Sequence, residues 1–262
     1  LSSSSAASDV YKRQILRIIF LLNSIFLFSQ TGNDIALMID NRKVPKILSN
    51  TINMTLTNSK GKIRTNKMIS KSIDKNRKQI IWFLEPKDEK GVAFLKIEQK
   101  GKDDQMRMWL PAFKKVRRIS GKKKGDSFMG SDLSYEDLST RDIENHTYKR
   151  LEDEFFSNSD CYVLETTSRK ELKSSYSKHR SWINKSNLTV IKEESYDKRG
   201  EIKKKKFFTY QMFNDYRIAT KILVEDIKKK HTTEVIFSNV SVDESIKETL
   251  FHERNLRKIP KN

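Results

Sequence analysis

The chain has 262 residues, with 53 Lys and Arg against 34 Asp and Glu, for a formal net charge of +19. With 36% hydrophobic residues and a mean hydropathy of −0.70, it can build a core but not a bundle of membrane-spanning helices. Cys161 is the only cysteine, which excludes an internal disulfide and a cysteine-built metal site.

Residues 1–14, LSSSSAASDVYKRQ, read as translated sequencing-adapter and are set aside as foreign. Arg17 then precedes the apolar run Ile18 to Phe28, interrupted by Asn23 and Ser24. That run is short for a bilayer span and suits the core of a secretory signal over residues 15–30. Cleavage near Ser29 to Thr31 leaves a domain over 31–262, and no cysteine follows to carry a lipid. Export to the periplasm without an anchor is the expectation.

Asn33 or Asp34 can cap a helix with Ile35, Met38 and Ile39 on one face, ended by Pro45. From Thr51 the pattern changes to period two: Ile52, Met54 and Leu56 alternate with polar residues, and Asn58-Ser59-Lys60-Gly61 predicts a hairpin. Residues 63–73 form the returning strand. Ile80-Ile81-Trp82-Phe83-Leu84 is apolar on both faces, so both faces must be covered. Strands over 91–98, 106–110 and 116–120 follow. Then comes an acidic amphipathic piece, Ser131 to Leu138, in which Ser134 and Asp137 have the spacing of a capping arrangement.

After a polar stretch to Asp153 the strands resume at 161–166, 175–184 and 188–196. Cys161 lies in the first of them, the setting of a buried inert thiol. The turn Asp197-Lys198-Arg199-Gly200 leads to strands at 202–213, 216–226 and 232–242, and a short helix over 243–251 ends the pattern. About eleven strands joined by short turns predict one antiparallel meander, mainly β with few helices and no linker dividing it.

The chain carries no phosphate-binding glycine loop, no zinc-protease helix and no nucleophile elbow. His146, His179, His231 and His252 lack ligand spacing, so no metal and no cofactor are expected. Asp132, Glu136 and Asp137 could be cast as a hydrolytic acid/base set, but capping explains them more simply. The runs Lys114 to Arg118, Lys122 to Lys124 and Lys203 to Lys206, the last beside Phe207, Phe208 and Tyr210, have the make-up of a single-strand nucleic-acid site. The export signal and the lack of any nucleic-acid module count against that partner. The same lysines suit an anionic membrane surface, or merely solvated positions in a lysine-rich composition.

One stretch is more specific: MWLPAFKKVRRISGKKKGDSFMGSDLSYEDL, within 106–138. With IIWFLEPKDEKGVAFL before it, YSKHRSWINKSNLTVIKEESYDKRGEIKKK after it and TLFHERNLRK near the end, the chain resembles outer-membrane lipoprotein-sorting proteins of the LolA/LolB-like superfamily. The resemblance implies an incomplete antiparallel β-barrel with helices closing its open side. It implies a non-enzymatic periplasmic carrier that shelters lipid or lipoprotein acyl chains between inner and outer membranes. Trp82, Phe94, Met106, Met108, Trp109, Leu110 and Phe128 are the candidate cleft residues, although an aromatic on a strand is more often ordinary core. Arg107, Lys114, Lys115, Arg117 and Arg118 are the candidates for head-group or partner contact. A monomer is expected, meeting an inner-membrane exporter, an outer-membrane acceptor and, transiently, anionic membrane. The alternatives are a non-catalytic accessory of a resistance-nodulation-division type exporter, or an envelope hydrolase built on Asp132, Glu136 or Asp137.

Overall fold

In a computed structural model of the chain, residues 30–99 and 104–260 are described, and the described residues from Gly32 onward form one compact unit. The adapter-like segment and all but the last residue of the expected signal lie outside the described residues.

Alternating apolar residues draw the chain into a single antiparallel sheet of fourteen strands. The first six are β1 (Ile47–Thr57), β2 (Ile63–Ile73), β3 (Lys78–Glu85), β4 (Ala93–Ile97), β5 (Gln105–Leu110) and β6 (Lys115–Ile119). Then follow β7 (His146–Arg150), β8 (Glu154–Phe156), β9 (Ser159–Ser168), β10 (Lys178–Asn184) and β11 (Val190–Tyr196). The last three are β12 (Ile202–Phe213), β13 (Tyr216–Asp226) and β14 (His231–Val242). Within β1–β6 and within β9–β14 each strand pairs with its sequence neighbours; β7 and β8 both pair with β9, and β1 pairs with β14, from Leu48↔Val242 to Thr57↔Thr232, and so joins the two halves. The strand order runs from β6 back to β1, across to β14 and down to β7, with β8 paired only to β9. Edges β6 and β7 do not pair with each other, so the barrel is incomplete.

The two-sided apolar reading of β3 holds. Ile81 and Phe83 enter an inner cluster with Ile52, Met54, Met68, Phe94 and Met106. Ile80 and Trp82 face the other way, with Ala93 and Leu95, beneath Phe251 and Leu256 of the C-terminal segment. A helix α1 (Gly32–Asp40) forms in the expected region, but Asn33 and Asp34 lie in its first turn rather than capping it, and it ends at Asp40, before Pro45. It packs Ile35 and Ala36 against Leu164 and Ile183 of β9 and β10. Its first residue must be glycine, because a Cβ on Gly32 would stand 2.6 Å from the Tyr148 carbonyl oxygen of β7.

Three expectations are corrected. The sheet has fourteen strands, not about eleven: β7 forms in the polar stretch before Asp153 and β8 directly after it, where an edge strand and a three-residue hairpin arm need few apolar residues. The Ser131–Leu138 piece is no helix but ends in a single 3-10 turn, Glu136–Leu138. The reciprocal cap is nonetheless present, with Ser134 N donating to Asp137 Oδ2 at 2.8 Å and Asp137 N donating to Ser134 Oγ at 3.2 Å. The C-terminal helix is likewise two 3-10 turns, Glu248–Phe251 and Glu253–Arg257. α1 is thus the only α-helix among the described residues.

Leu256 is wholly buried under the outer face of β3 and β4. Leu256→Ala should therefore destabilise the protein by about 2–5 kcal/mol, read as a shifted midpoint in urea denaturation.

Candidate functional site

The inner face has two chemistries. Along β1–β6 and β14 it is mostly apolar, with Asn66, Ser70, Ser72, Lys96 and Thr233 buried among the apolar residues; along β10–β12 it is largely polar and charged. What covers the apolar part is a segment between β6 and β7. Phe128 and Tyr135 are buried in the inner cluster, with Met129, Leu133 and Leu138 packed on its margin. Phe128 meets Phe94 edge-on at 5.3 Å and Tyr135 at 5.8 Å between ring centroids. These geometries favour aromatic pairs. Residues 126–138 therefore plug the apolar face that the alternation of β1–β6 creates.

Polar anchors hold the plug. Asp132 is buried; its Oδ2 accepts from Thr233 Oγ1 at 2.7 Å and lies 2.8 Å from His231 Nδ1. Glu136 accepts from the Ser175 amide at 2.8 Å and from both the Ser174 and Ser175 hydroxyls. Lys96, wholly buried on β4, donates to the Leu138 carbonyl at 2.7 Å and to Glu98 at 2.7 Å. The Asp137 carboxylate reaches β12: Oδ2 accepts from Lys204 Nζ at 2.9 Å and Tyr176 OH at 2.9 Å, and Oδ1 accepts from Lys206 Nζ.

This last contact opens into a network. Lys206 also donates to Glu193 Oε1 at 3.1 Å, and Arg141 grips the same carboxylate in a two-pronged pair. His179 Nδ1 lies 2.9 Å from Ser195 Oγ. Burial opposes ionisation of Asp137 and Glu193, yet the adjacent Lys206, Lys204 and Arg141 hold both carboxyls well below the usual carboxylate range. Burial, with Arg141 beside it, keeps His179 neutral, its pKa well below the usual histidine range. Register explains the arrangement: β11 and β12 pair Glu193 with Lys206 and Ser195 with Lys204, so every second lysine of the run 203–206 turns inward onto an acid or a hydroxyl. Those two lysines are unavailable to a nucleic acid.

Two cavities border this network. One, of 450 Å³, is polar, with Glu98, Asp104, Glu136, Asp142, His146 and Glu171 among its lining. The other, of 170 Å³, lies under α1 between Ile39, Tyr148, Leu164, Ile183 and Val190, with Arg141 and Glu193 also in its wall.

A family model described only as that of an uncharacterized protein matches residues 75–258. A solved domain from Vibrio parahaemolyticus, named for outer membrane lipoprotein sorting, is 30% identical with a TM-score of 0.82, over 87% of this chain and 98% of that one. The chain belongs to this outer-membrane lipoprotein-sorting family. A DUF1329 family protein from Desulfovibrio piger is 29% identical, TM-score 0.81, over 86% and 97% of the two chains. A LolA superfamily protein from Nitrosomonas europaea, at 19% identity and TM-score 0.70, covers 86% of this chain and 99% of its own and shares the fold. No curated protein sequence matches the chain.

Against the lipoprotein-sorting frame, the sequence candidates divide between the two faces. Phe94, Met106, Met108 and Phe128 lie in the inner cluster, with Leu110 at its margin. Trp82 and Trp109 lie on the outer face: Trp82 Nε1 donates to the Asn255 carbonyl at 3.3 Å, and Trp109 sits 4.9 Å beneath the Arg257 guanidinium. Arg107 is on that outer face too, 3.4 Å from Glu253. Lys114, Lys115, Arg117 and Arg118 are exposed along edge strand β6. Asp132, Glu136 and Asp137 are each saturated by separate plug anchors rather than set against one another. The buried network of Arg141, Tyr176, His179, Glu193, Lys204 and Lys206 escaped sequence reasoning. Its one legible signal was the hairpin about 197–200, which sets IKEES against IKKKK.

Removing the Asp137 carboxylate leaves two buried ammonium groups short of a counter-charge. Asp137→Asn is accordingly expected to cost about 3–5 kcal/mol of stability, measured by urea denaturation. The same network sets a pH dependence. His179 has its folded pKa below the unfolded 6.5, so unfolding takes up a proton and stability declines as pH falls through and below that value. Asp137 and Glu193 are depressed from 3.8 and 4.5, so their contribution, complete above those values, declines further below them. His179→Gln should reduce the first decline, leaving the share due to His146, whose pKa burial also depresses, and leave the second, followed as denaturation midpoint against pH.

Proposed function

We propose that this protein is a periplasmic carrier that shelters an acyl chain, of lipid or lipoprotein, on the inner face of its sheet. Family membership supports the class. The observation that carries the reading is that a single anchored segment, rather than a second sheet, covers the apolar inner face. Burying Phe128 and Tyr135 contributes about 1.5–3 kcal/mol each. An acyl chain gains about 0.8 kcal/mol per methylene, so a tail of about ten methylenes offers about 8 kcal/mol on the same surface. The two are close enough for exchange. The 170 Å³ slot under α1, which no plug residue lines, is smaller than the ~300 Å³ at the low end of ligand pockets; a full tail in this reading takes the apolar surface that the plug covers. The polar 450 Å³ cavity offers a tail nothing. Binding of this kind is non-directional and uses no reacting side chain, which separates it from hydrolysis by Asp132, Glu136 or Asp137.

The experiment pairs mass spectrometry of organic extracts from natively purified protein with uptake of a fluorescent fatty acid. The carrier reading expects extractable lipid, and faster uptake in Asp132→Ala, which loses an anchor of the plug. A hydrolase expects turnover that Asp132→Ala abolishes. Lipid-free extracts together with uptake unchanged in Asp132→Ala would sink the carrier reading in favour of a scaffold.

A further inference from the structure

Five hairpin turns lie side by side along one end of the sheet, although they come from distant parts of the chain. The β11–β12 turn (197–201) touches the β13–β14 turn (227–230), where Lys228 pairs with Asp197 and Glu201. The pair Thr57↔Thr232 sets that turn beside the β1–β2 turn (58–62). Arg64, just after it, pairs with Asp88 and Glu89 of the β3–β4 turn (86–92). Gly91 of that turn in turn faces Pro111 Cγ, 3.3 Å from its Cβ position, at the β5–β6 turn (111–114).

This rim carries two features that do not belong to a merely solvated edge. Ile63, Phe113 and Ile227 project from three of the turns with 63%, 70% and 42% of their surface exposed. Around them Lys60, Lys62, Lys114, Lys115, Arg199 and Lys230 are exposed, and none has a carboxylate within ion-pair distance among the described residues. Exposed apolar residues are ordinary one at a time; three on one rim, each flanked by free cations, are not. The apolar side chains come from three separate turns and are interspersed with cations, unlike the charge-depleted core of a protein–protein interface. They match instead a bilayer interface, where short apolar side chains enter the acyl boundary while ammonium groups meet phosphates. The rim also adjoins the tip of the plug: Gly130 faces Leu56 at the end of β1, and Asp132 bonds His231 and Thr233 at the start of β14.

We infer that this hairpin rim docks on an anionic lipid surface, with Ile63, Phe113 and Ile227 as the inserting residues and the lysines around them as the headgroup contacts. Docking there sets the plug tip against the membrane from which cargo would come. The surface does not depend on the nature of the cargo, so docking and lipid uptake can fail separately.

Cosedimentation of the full chain with phosphatidylcholine vesicles, with and without phosphatidylglycerol, tests it. The expected result is binding that needs phosphatidylglycerol and falls with added salt. The combined variant Ile63→Ser/Phe113→Ser/Ile227→Ser, and separately Lys60→Glu/Lys114→Glu/Lys230→Glu, should each bind at least about tenfold more weakly. All these side chains are exposed, and an unchanged denaturation midpoint checks folding. Phe155→Ser/Met212→Ser, equally exposed but off the rim, should bind as the wild type does; any binding by the apolar segment 18–28 is common to every variant. Phe113→Trp should show a blue-shifted emission with anionic vesicles. Rim variants that bind like wild type, control variants that weaken equally, or no vesicle binding while an acidic protein is captured, would each overturn the inference.

Discussion

The Asp137 carboxylate, held dry between Lys204 and Lys206, is the contact on which the inner face depends. It is where the plug, whose residues fill the apolar half of the interior, is fastened to the charged half. Two lysines on one buried carboxylate form an arrangement that burial alone would forbid. It is tolerated because Glu193 balances Lys206 from below and Tyr176 and Ser134 complete the hydrogen bonding. A buried ion pair of this kind adds little net stability over an apolar replacement, but breaking one side of it is costly. Its use is therefore in specifying where the plug sits, more than in how strongly the sheet holds together.

Coverage of the sheet follows from the same division. The outer face of β3–β5 is sealed by Phe251 and Leu256, whose removal exposes apolar surface and returns nothing. The inner face is sealed by a segment that adds several buried polar anchors to its apolar contacts. Such a cover is selective. In the carrier reading proposed above, loosening those anchors frees the apolar face while the sheet beneath stays folded, and a fatty tail takes the space left. That reading rests on the polar anchoring of the inner cover.

The excess of positive charge takes two forms once the fold is known. Lys96, Lys204 and Lys206 are buried and paired, so they belong to the interior. Lysines at the hairpin tips and along β6 are exposed, and those at the tips stand together on one edge only because sequential hairpins turn at the same end of a meander. Composition counts both kinds alike.

The sequence by itself determined the strand-rich meander, the N-terminal helix, the two-sided burial of β3 and the absence of familiar catalytic motifs, because all of these are local and repeat at short intervals. The family resemblance, carried by the stretch around Trp109-Leu110-Pro111, was legible for the same reason. Tertiary structure alone decided which of two alternating faces looks inward: Phe94 and Met108 are inside, whereas Trp82 and Trp109 pack beneath the C-terminal segment. It also decided that Ser131–Leu138 is a plug rather than a helix, and that Lys204 and Lys206 face Glu193 and Asp137. Facing is fixed by inter-strand register and by segments far apart in the chain. A period of two shows that two faces exist, but not which of them the rest of the chain will cover.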